Sequence, residues 1–183
     1  MNINASPFDI NKIDQRKELV KGKAKKLNVP IVYLNMVGGQ DELVFDGGSF
    51  VVDKNGEFIY VAPQFKEDFF TFDIELEVTD NVSESSLSLN EKNIKIEPLL
   101  SSNNLNKTES MYSALELGLS DYVTKNKFEK VLVGLSGGID SALTATIACD
   151  ALSPENVIGV AMPSKYNPDS SLEDAKKLAK NLG

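Results

Sequence analysis

Residues 131–147, VLVGLSGGIDSALTATI, decide the fold of this chain. Residues 131–135 are a short branched apolar run without alternation, which is typical of a buried parallel strand. Leu143, Ile147 and Ala151 recur at four-residue spacing and predict one buried face of a helix. The Ser136-Gly137-Gly138 turn is therefore expected at the carboxyl end of a strand and the amino end of a helix.

The composition of this turn favours an anion site with a metal ligand beside it. Two glycines allow close backbone approach, so N–H groups at the helix N-terminus can point at phosphate oxygens, while Ser136 and Ser141 supply hydroxyls. Asp140 would repel a polyphosphate unless Mg²⁺ lies between them, so we predict that it binds the metal. The alternative is a glycine turn without a ligand, in which Asp140 and Ser141 only complement the helix dipole.

The loop is not a Walker A loop, because it has no Gly-Lys-Ser/Thr and no lysine for the terminal phosphates. It resembles the SGGxDS loop of the ATP pyrophosphatases. The resemblance implies ATP cleavage between the α and β phosphates, with Mg²⁺ on Asp140. It also implies that ATP is bound by Gly134, Leu135, Ser136, Gly137, Gly138, Ile139, Asp140 and Ser141.

The overall composition excludes several classes of function. The 183 residues are 42% hydrophobic and 25% charged, as in ordinary globular proteins, and the net charge of −8 argues against nonspecific nucleic-acid binding. We find neither eighteen consecutive apolar residues nor a leader, and expect a cytoplasmic protein without a membrane partner. The absence of histidine removes Ser-His-Asp and Cys-His catalysis and imidazole zinc sites. Cys149 has no cysteine to pair with and is expected to be a buried apolar residue.

Hydropathy patterns divide the rest of the chain into a sheet-rich first part and a nucleotide-binding second part. In the first part we predict a helix at 13–27 that buries Val20, Ala24 and Leu27 and carries its seven basic residues, from Lys12 to Lys26, on a solvated face. We also predict strands at 31–35, 50–53, 57–61 and 70–78, the second and third joined by the 54–56 turn. No strand is expected before residue 4.

The second part follows a polar segment, 80–107, that reads as an interdomain connection. A helix at 109–125 is expected to bury Met111, Leu115, Leu119, Tyr122 and Val123. Strands at 131–135 and 157–162 form a parallel crossover around the motif helix. A last helix is predicted at 171–182, with Ser171 and Asp174 as a capping box. So few strands cannot bury both faces of a doubly wound sheet, and we expect both ends of the chain to be truncated.

Three blocks, in this order and spacing, resemble the glutamine-dependent NAD synthetases. They are NASPF at 4–8, GGQDELVFDGGSF at 38–50, and the SGGIDS loop with MPSKY at 162–166. The resemblance implies an α/β fold in which a partial nitrilase-like α/β sandwich precedes the start of a doubly wound parallel sheet of the adenine nucleotide alpha hydrolase type. The implied domains are 1–79, the end of the glutaminase; 80–107, the linker; and 108–183, the start of the synthetase.

The resemblance also implies roles for single residues. Ser6 and Lys12 occupy the positions that contact the substrate glutamine in the family. Some relatives have arginine at the position of Lys12. A guanidinium can bind the α-carboxylate of glutamine through two hydrogen bonds, whereas lysine supplies only a charge. The nitrilase-type Glu, Lys and Cys all precede the NASPF block, so this chain is expected to have no glutaminase catalytic residue and not to hydrolyse glutamine. Asp41, Glu42 and Asp46 are expected to be structural, at strand ends. The 161–163 strand end is expected near the adenine, and Tyr166 and Asn167 either order a loop over the nucleotide or lie in a simple surface loop.

The implied activity is ATP-dependent amidation of deamido-NAD through an adenylated intermediate, with release of AMP and pyrophosphate. The implied partners are ATP, deamido-NAD and glutamine or ammonia, with a homo-oligomer for the full-length enzyme. Two rivals stay open: another ATP pyrophosphatase, such as a GMP synthetase or a tRNA-thiolating enzyme, and a nucleotide-binding module without catalysis. For the isolated chain we expect weak ATP binding and no turnover.

Overall fold

Helices and strands mix throughout the part of the chain that this computed structural model describes, residues 1–72, 105–162 and 169–183. The α/β class expected from the sequence is confirmed. The elements are β1 (Asn2–Asn4), α1 (Lys12–Leu27), β2 (Ile31–Asn35), β3 (Val37–Gln40), β4 (Leu43–Asp46), β5 (Phe50–Val52), β6 (Phe58–Val61), α2 (Lys107–Lys125), β7 (Val131–Leu135), α3 (Ile139–Leu152), β8 (Val157–Ala161) and α4 (Asp169–Leu182).

The first part is built on a four-stranded sheet in the order β1-β2-β5-β6. Strand β1 is parallel to β2, and the other two pairings are antiparallel. The predicted hairpin of β5 and β6 is confirmed, with Gly56 at φ +78° in its turn. Helix α1 covers one face of the sheet, and the core between them consists of Val20, Ala24, Tyr33, Phe50, Val52 and Val61.

Three expectations for this part are wrong. Strand β1 begins two residues before the NASPF block and ends at its first residue; its sequence, Asn-Ile-Asn, is too short and polar to show a strand pattern. Arg16, which we expected on the solvated face of α1, is buried instead, because its guanidinium pairs with the buried carboxylate of Asp46. Leu27 is the last residue of α1 and is exposed. The predicted strand at 70–78 lies mostly outside the described residues.

A separate hairpin, β3–β4, is formed by the GGQDELVFDGGSF block. Its turn contains Asp41 and Glu42, which are both exposed, as expected for residues at strand ends. Asp46 ends β4 and has no exposed surface. The block therefore contributes one carboxylate to the interior and presents two to solvent.

The second part contains the predicted crossover unit. Strands β7 and β8 are parallel and in register from Val131 opposite Val157 to Leu135 opposite Ala161, and α3 connects them. One sheet face, with α3 and α4 against it, has a core of Val133, Leu135, Ala145, Ala148 and Ala175.

The opposite face of this two-stranded sheet is exposed. This agrees with the expectation that so few strands cannot bury both faces, but it differs from the reading of residues 131–135 as a buried strand. Leu132 and Met162 are each 72% exposed, and Ile158 on the neighbouring strand is exposed as well. The physical reason is that α3 and α4 pack on the other face. Leu143, which we expected on the buried face of α3, is 51% exposed.

Helix α2 begins as its sequence dictates but buries a different face from the predicted one. Asn106 and Glu109 form a capping box that starts the helix. Three of the expected core residues, Met111, Leu115 and Tyr122, are exposed. The buried side chains are Ser110, Ala114 and Val123. Helix α2 lies between the β3–β4 hairpin and α3, and small side chains permit that close approach.

Helix α4 starts at Asp169, two residues before the predicted cap, so Ser171 lies inside the helix and the expected capping box is wrong. The described residues contain no helix with the length and apolarity needed to cross a bilayer. Pro163, Tyr166 and Asn167, expected near a nucleotide, lie outside the described residues.

Candidate functional site

The turn between β7 and α3 is braced by its own two serines. The Ser136 backbone N–H donates to Ser141 Oγ at 3.2 Å, and the two hydroxyl oxygens lie 3.1 Å apart. The Ser136 hydroxyl also accepts from the Gly138 N–H at 3.3 Å, and the Ser141 hydroxyl donates to the Gly138 carbonyl at 3.0 Å. The predicted serines therefore come together, and in this structure their hydroxyls fix the shape of the turn.

The first turn of α3 presents backbone donors without partners in the helix. Gly138 is the N-cap residue, with no capping side chain, and the first helical bond runs from the Ala142 N–H to the Gly138 carbonyl at 3.1 Å. The N–H groups of Ile139, Asp140 and Ser141 consequently have no helical acceptor. They lie at the positive end of the helix dipole, and the Ile139 side chain is 80% exposed. This geometry suits a phosphate group.

Gly137 is required at its position for two reasons. Its φ of +83° lies in the region that side chains disfavour. A Cβ atom there would lie 2.5 Å from the Ser171 carbonyl oxygen and 2.7 Å from Ser171 Cα. The backbone of α4 thus closes one side of the turn, so a ligand has to approach from the other side.

Asp140 lies in the first turn of α3 and is exposed. Within the described ranges, no group of three or more acidic or cysteine side chains gathers to form a metal site. A lone carboxylate beside a phosphate-binding turn fits Mg²⁺, which is commonly held by one or two carboxylates together with substrate phosphates. The donor set therefore fits the predicted ion only when a nucleotide is bound as well.

Ser6 and Lys12, the two residues expected to contact glutamine, line one cavity of ≈ 590 Å³ between α1 and the β1–β2 edge. Asn35 holds the Ser6 backbone in place: its Oδ1 accepts from the Ser6 N–H at 2.8 Å, and its Nδ2 donates to the Ser6 carbonyl at 3.3 Å. Lys12 is the first residue of α1. The structure brings the two predicted residues to the same cavity.

Arg16 lines the same cavity and belongs to a buried polar network that we did not predict. Its Nη2 donates to Asp46 Oδ1 at 2.7 Å. Asn35 and Gln64 also donate to Asp46, at 3.5 and 3.3 Å. The helical period could have predicted the burial of Arg16, because this residue is four positions before Val20 and therefore lies on the face that α1 buries.

Cys149 is a buried free thiol, as expected. Burial raises the pKa of this thiol, and the nearby Asp150 carboxylate raises it further. A thiol with a raised pKa is a poor nucleophile, which agrees with a packing role.

A glycine turn between a parallel strand and a helix, whose first amides have no acceptor within the helix, is typical of nucleotide-binding α/β proteins. In the comparisons with known proteins, residues 111–183 match the family model of NAD synthase.

Similarity extends over the whole chain. A glutamine-dependent NAD(+) synthetase of Thermotoga maritima is 46% identical, and one of Synechocystis sp. is 44% identical; each alignment covers 100% of this chain, but only 34% and 30% of those proteins. A solved structure of the Acinetobacter baumannii enzyme in complex with ADP has a TM-score of 0.80 at 37% identity and covers 100% of this chain and 33% of that one. The chain therefore spans about a third of the length of the relatives it matches.

Proposed function

We propose that this chain supplies part of a glutamine-dependent NAD synthetase, which amidates deamido-NAD at the expense of ATP. The observation that carries the proposal is the braced turn of residues 136–138, followed by three amides that have no acceptor within the helix and by the Asp140 carboxylate. The relatives that align with the whole of this chain are glutamine-dependent NAD(+) synthetases, and the structure of one such enzyme was determined in complex with ADP.

The turn's task in this reaction is to bind and orient the triphosphate. The amides of residues 139–141 would bind phosphate oxygens, and Ser136 and Ser141 would hold the turn in the required shape. The side chain of Asp140 would hold Mg²⁺, which when bound neutralises charge on the phosphates. The nicotinate carboxylate of deamido-NAD attacks the α-phosphate, pyrophosphate leaves, and ammonia displaces AMP. Fixed amide dipoles stabilise charge that develops on the phosphate oxygens.

We assign the glutamine side to the first part of the chain. In this proposal Lys12 attracts the α-carboxylate of glutamine, and Ser6, whose backbone Asn35 fixes, binds beside it. The domains are residues 1–79 for the end of the glutaminase, 80–107 for the linker and 108–183 for the start of the synthetase. The small-molecule partners are metabolites of the cytoplasm, where we place the protein, and the complete enzyme is a homo-oligomer.

Isothermal titration of the chain with ATP, with and without Mg²⁺, tests the nucleotide site. We expect weak binding that requires Mg²⁺ and is weakened at least about tenfold by Gly138→Val, which adds a branched side chain beside the unpaired amides. Thr144→Ala is the matched control, because the Thr144 hydroxyl only donates to the Asp140 carbonyl within α3. Absence of any heat with MgATP would refute the proposal.

A pyrophosphate assay separates this function from its rivals. With deamido-NAD, ATP and ammonia as substrates, the complete enzyme is expected to release pyrophosphate and form NAD. Pyrophosphate release with xanthosine monophosphate instead would indicate a different ATP pyrophosphatase. ATP binding by the complete enzyme without any turnover would indicate a binding module.

A further inference from the structure

The turn between β5 and β6 contains the one Asn-Gly pair of the sequence, Asn55-Gly56. In such a pair the backbone nitrogen of the glycine can attack the side-chain amide of the asparagine, because glycine has no side chain to obstruct the approach. Asn55 is exposed, whereas Gly56 is buried, so only one of the two reacting groups faces solvent. The dipeptide is reactive, and the structure around it decides how often it reacts.

Asp53 holds the Asn55 amide, the group that would be attacked. Its Oδ2 accepts from Asn55 Nδ2 at 3.2 Å, and its Oδ1 accepts from the Asn55 backbone N–H at 2.9 Å. Oδ1 also accepts from the Glu57 N–H at 2.7 Å. Hydrogen bonds to a carboxylate are stronger than those between neutral groups. The charge of the Asp53 carboxylate also opposes the negative charge that develops on the Asn55 amide oxygen during attack.

The attacking atom, Gly56 N, is held by the same residue. Its N–H donates to the Asp53 carbonyl at 3.0 Å, and the Asp53 N–H donates to the Glu57 carbonyl at 2.9 Å. The nitrogen has to lose its proton before it attacks, and a carbonyl oxygen is too weak a base to remove that proton. The φ of Gly56, +78°, matches the left-handed residue that ends a three-residue hairpin loop. Attack therefore requires this turn to open.

Helix α1 covers the turn and limits its opening. A Cβ atom on Gly56 would lie 2.5 Å from Lys25 Cε and 2.9 Å from Lys21 Cγ. The aliphatic stems of these two lysines thus lie directly against the glycine and keep water from it. The attacking nitrogen is restrained by Asp53 on its own strand and by packing from the helix.

We propose that Asn55 is a site of covalent modification, at which spontaneous loss of ammonia forms a succinimide, and that Asp53 sets the rate by holding both reacting groups. Gly56 N forms a bond to Asn55 Cγ, the Cγ–Nδ2 bond breaks, and the departing ammonia takes up the proton that Gly56 N has lost. Water then opens the ring at one of its two carbonyls and leaves aspartate or isoaspartate at position 55. This chemistry is independent of the nucleotide site proposed above.

The isoaspartate product does not fit the turn. It routes the main chain through the former side chain and lengthens it by one methylene group, and both products place a second carboxylate beside that of Asp53. Strand β5, which leads into the turn, lies between β2 and β6 and contributes Phe50 and Val52 to the core. The modified chain is therefore expected to unfold at a lower urea concentration than the unmodified one.

Peptide mapping by mass spectrometry during incubation in mildly alkaline buffer tests the proposal, with isoaspartate measured by enzymatic methylation. Asn55 is expected to convert at least about tenfold more slowly in the folded chain than in the same chain unfolded in urea. Folded Asp53→Ala is expected to convert at least about fivefold faster than the folded unsubstituted chain. Asp53→Ser keeps one acceptor for backbone N–H groups but none for Nδ2 as well, so its rate should lie between the two.

Glu57→Gln is the matched control, because it removes a negative charge from the same turn while Asp53 contacts only the Glu57 backbone. Its conversion rate should stay within about twofold of the unsubstituted rate. No conversion at Asn55 in the unfolded chain would overturn the site itself. Equal rates in the folded and unfolded chain, or folded Asp53 variants that convert at the unsubstituted rate, would overturn the role of Asp53. An acceleration no larger than the rise in the unfolded fraction, measured by urea titration, would overturn it too, because global unfolding would then account for the rate.

Discussion

Removal of Asp46 should destabilise the chain more than removal of any exposed carboxylate. The Arg16–Asp46 pair has an N–O distance of 2.7 Å, and its side chains are only 6% and 1% exposed. Asp46→Ala would leave a buried guanidinium without its partner and would deprive Asn35 and Gln64 of an acceptor. Breaking a buried pair in this way costs about 3–5 kcal/mol.

The double variant Arg16→Met with Asp46→Leu should recover most of this loss. Nε and Nη1 of Arg16 are buried without a partner among the described residues, so the native pair already carries a desolvation cost. Replacement of both charges by apolar side chains of similar size is often neutral. We therefore expect the double variant to lie within about 1.5 kcal/mol of the unsubstituted chain, far less than the sum of the Arg16→Met and Asp46→Leu single losses.

Urea unfolding followed by circular dichroism measures these differences, provided that the transition is two-state. Glu18→Ala is the control on the same helix: its contact with Lys21 is 3.9 Å long and Glu18 is 76% exposed, so a loss below about 1 kcal/mol is expected. An Asp46→Ala loss as small as this control would refute the reasoning. So would a double variant that loses the sum of the losses measured for Arg16→Met and Asp46→Leu alone.

Three further predictions concern the nucleotide site and the thiol. Gly137→Ala places a Cβ atom 2.5 Å from the Ser171 carbonyl oxygen, so ATP affinity measured by titration should fall at least about tenfold; unchanged affinity would contradict the close approach. Asp140→Asn should remove the dependence of ATP affinity on Mg²⁺, and without Mg²⁺ the variant should bind ATP more tightly than the unsubstituted chain, because a repulsive charge is gone. Burial raises the pKa of Cys149, so the folded chain should hold less thiolate at pH 8 than a free thiol and react slowly with a disulfide reagent; reaction as fast as in urea would show that the thiol is accessible.

The elements that could be predicted from the sequence are those formed by residues close together along the chain. Local periodicity and the positions of glycines predicted two such units, the strand, turn and helix of 131–152 and the hairpin around Gly56. The structure contains both. The turn residues of the candidate site could be proposed from sequence because glycines and serines at this spacing can bind phosphate through backbone amides and hydroxyls. The structure adds that Ser136 and Ser141 brace each other, which is a matter of side-chain geometry that composition does not encode.

Features that depend on a distant partner were not predicted. The buried face of α2 is set by the hairpin, which approaches Gly118 across a long stretch of sequence, so the periodic run through Met111 and Leu115 was misleading. Arg16 is buried because Asp46 lies opposite, thirty residues away. Strand β1 exists through its pairing with β2, since its three residues carry no pattern of their own.

The apolar face of the β7–β8 sheet affects how this polypeptide behaves at the bench. Leu132, Ile158 and Met162 form an exposed apolar surface on a sheet that has only two strands among the described residues, and such surfaces promote self-association. The fluorescence of the dye ANS should increase when it binds the natively folded chain, and the apparent molar mass from light scattering should rise with protein concentration. Purification at low concentration, with a mild detergent, is therefore the practical starting point for titrations.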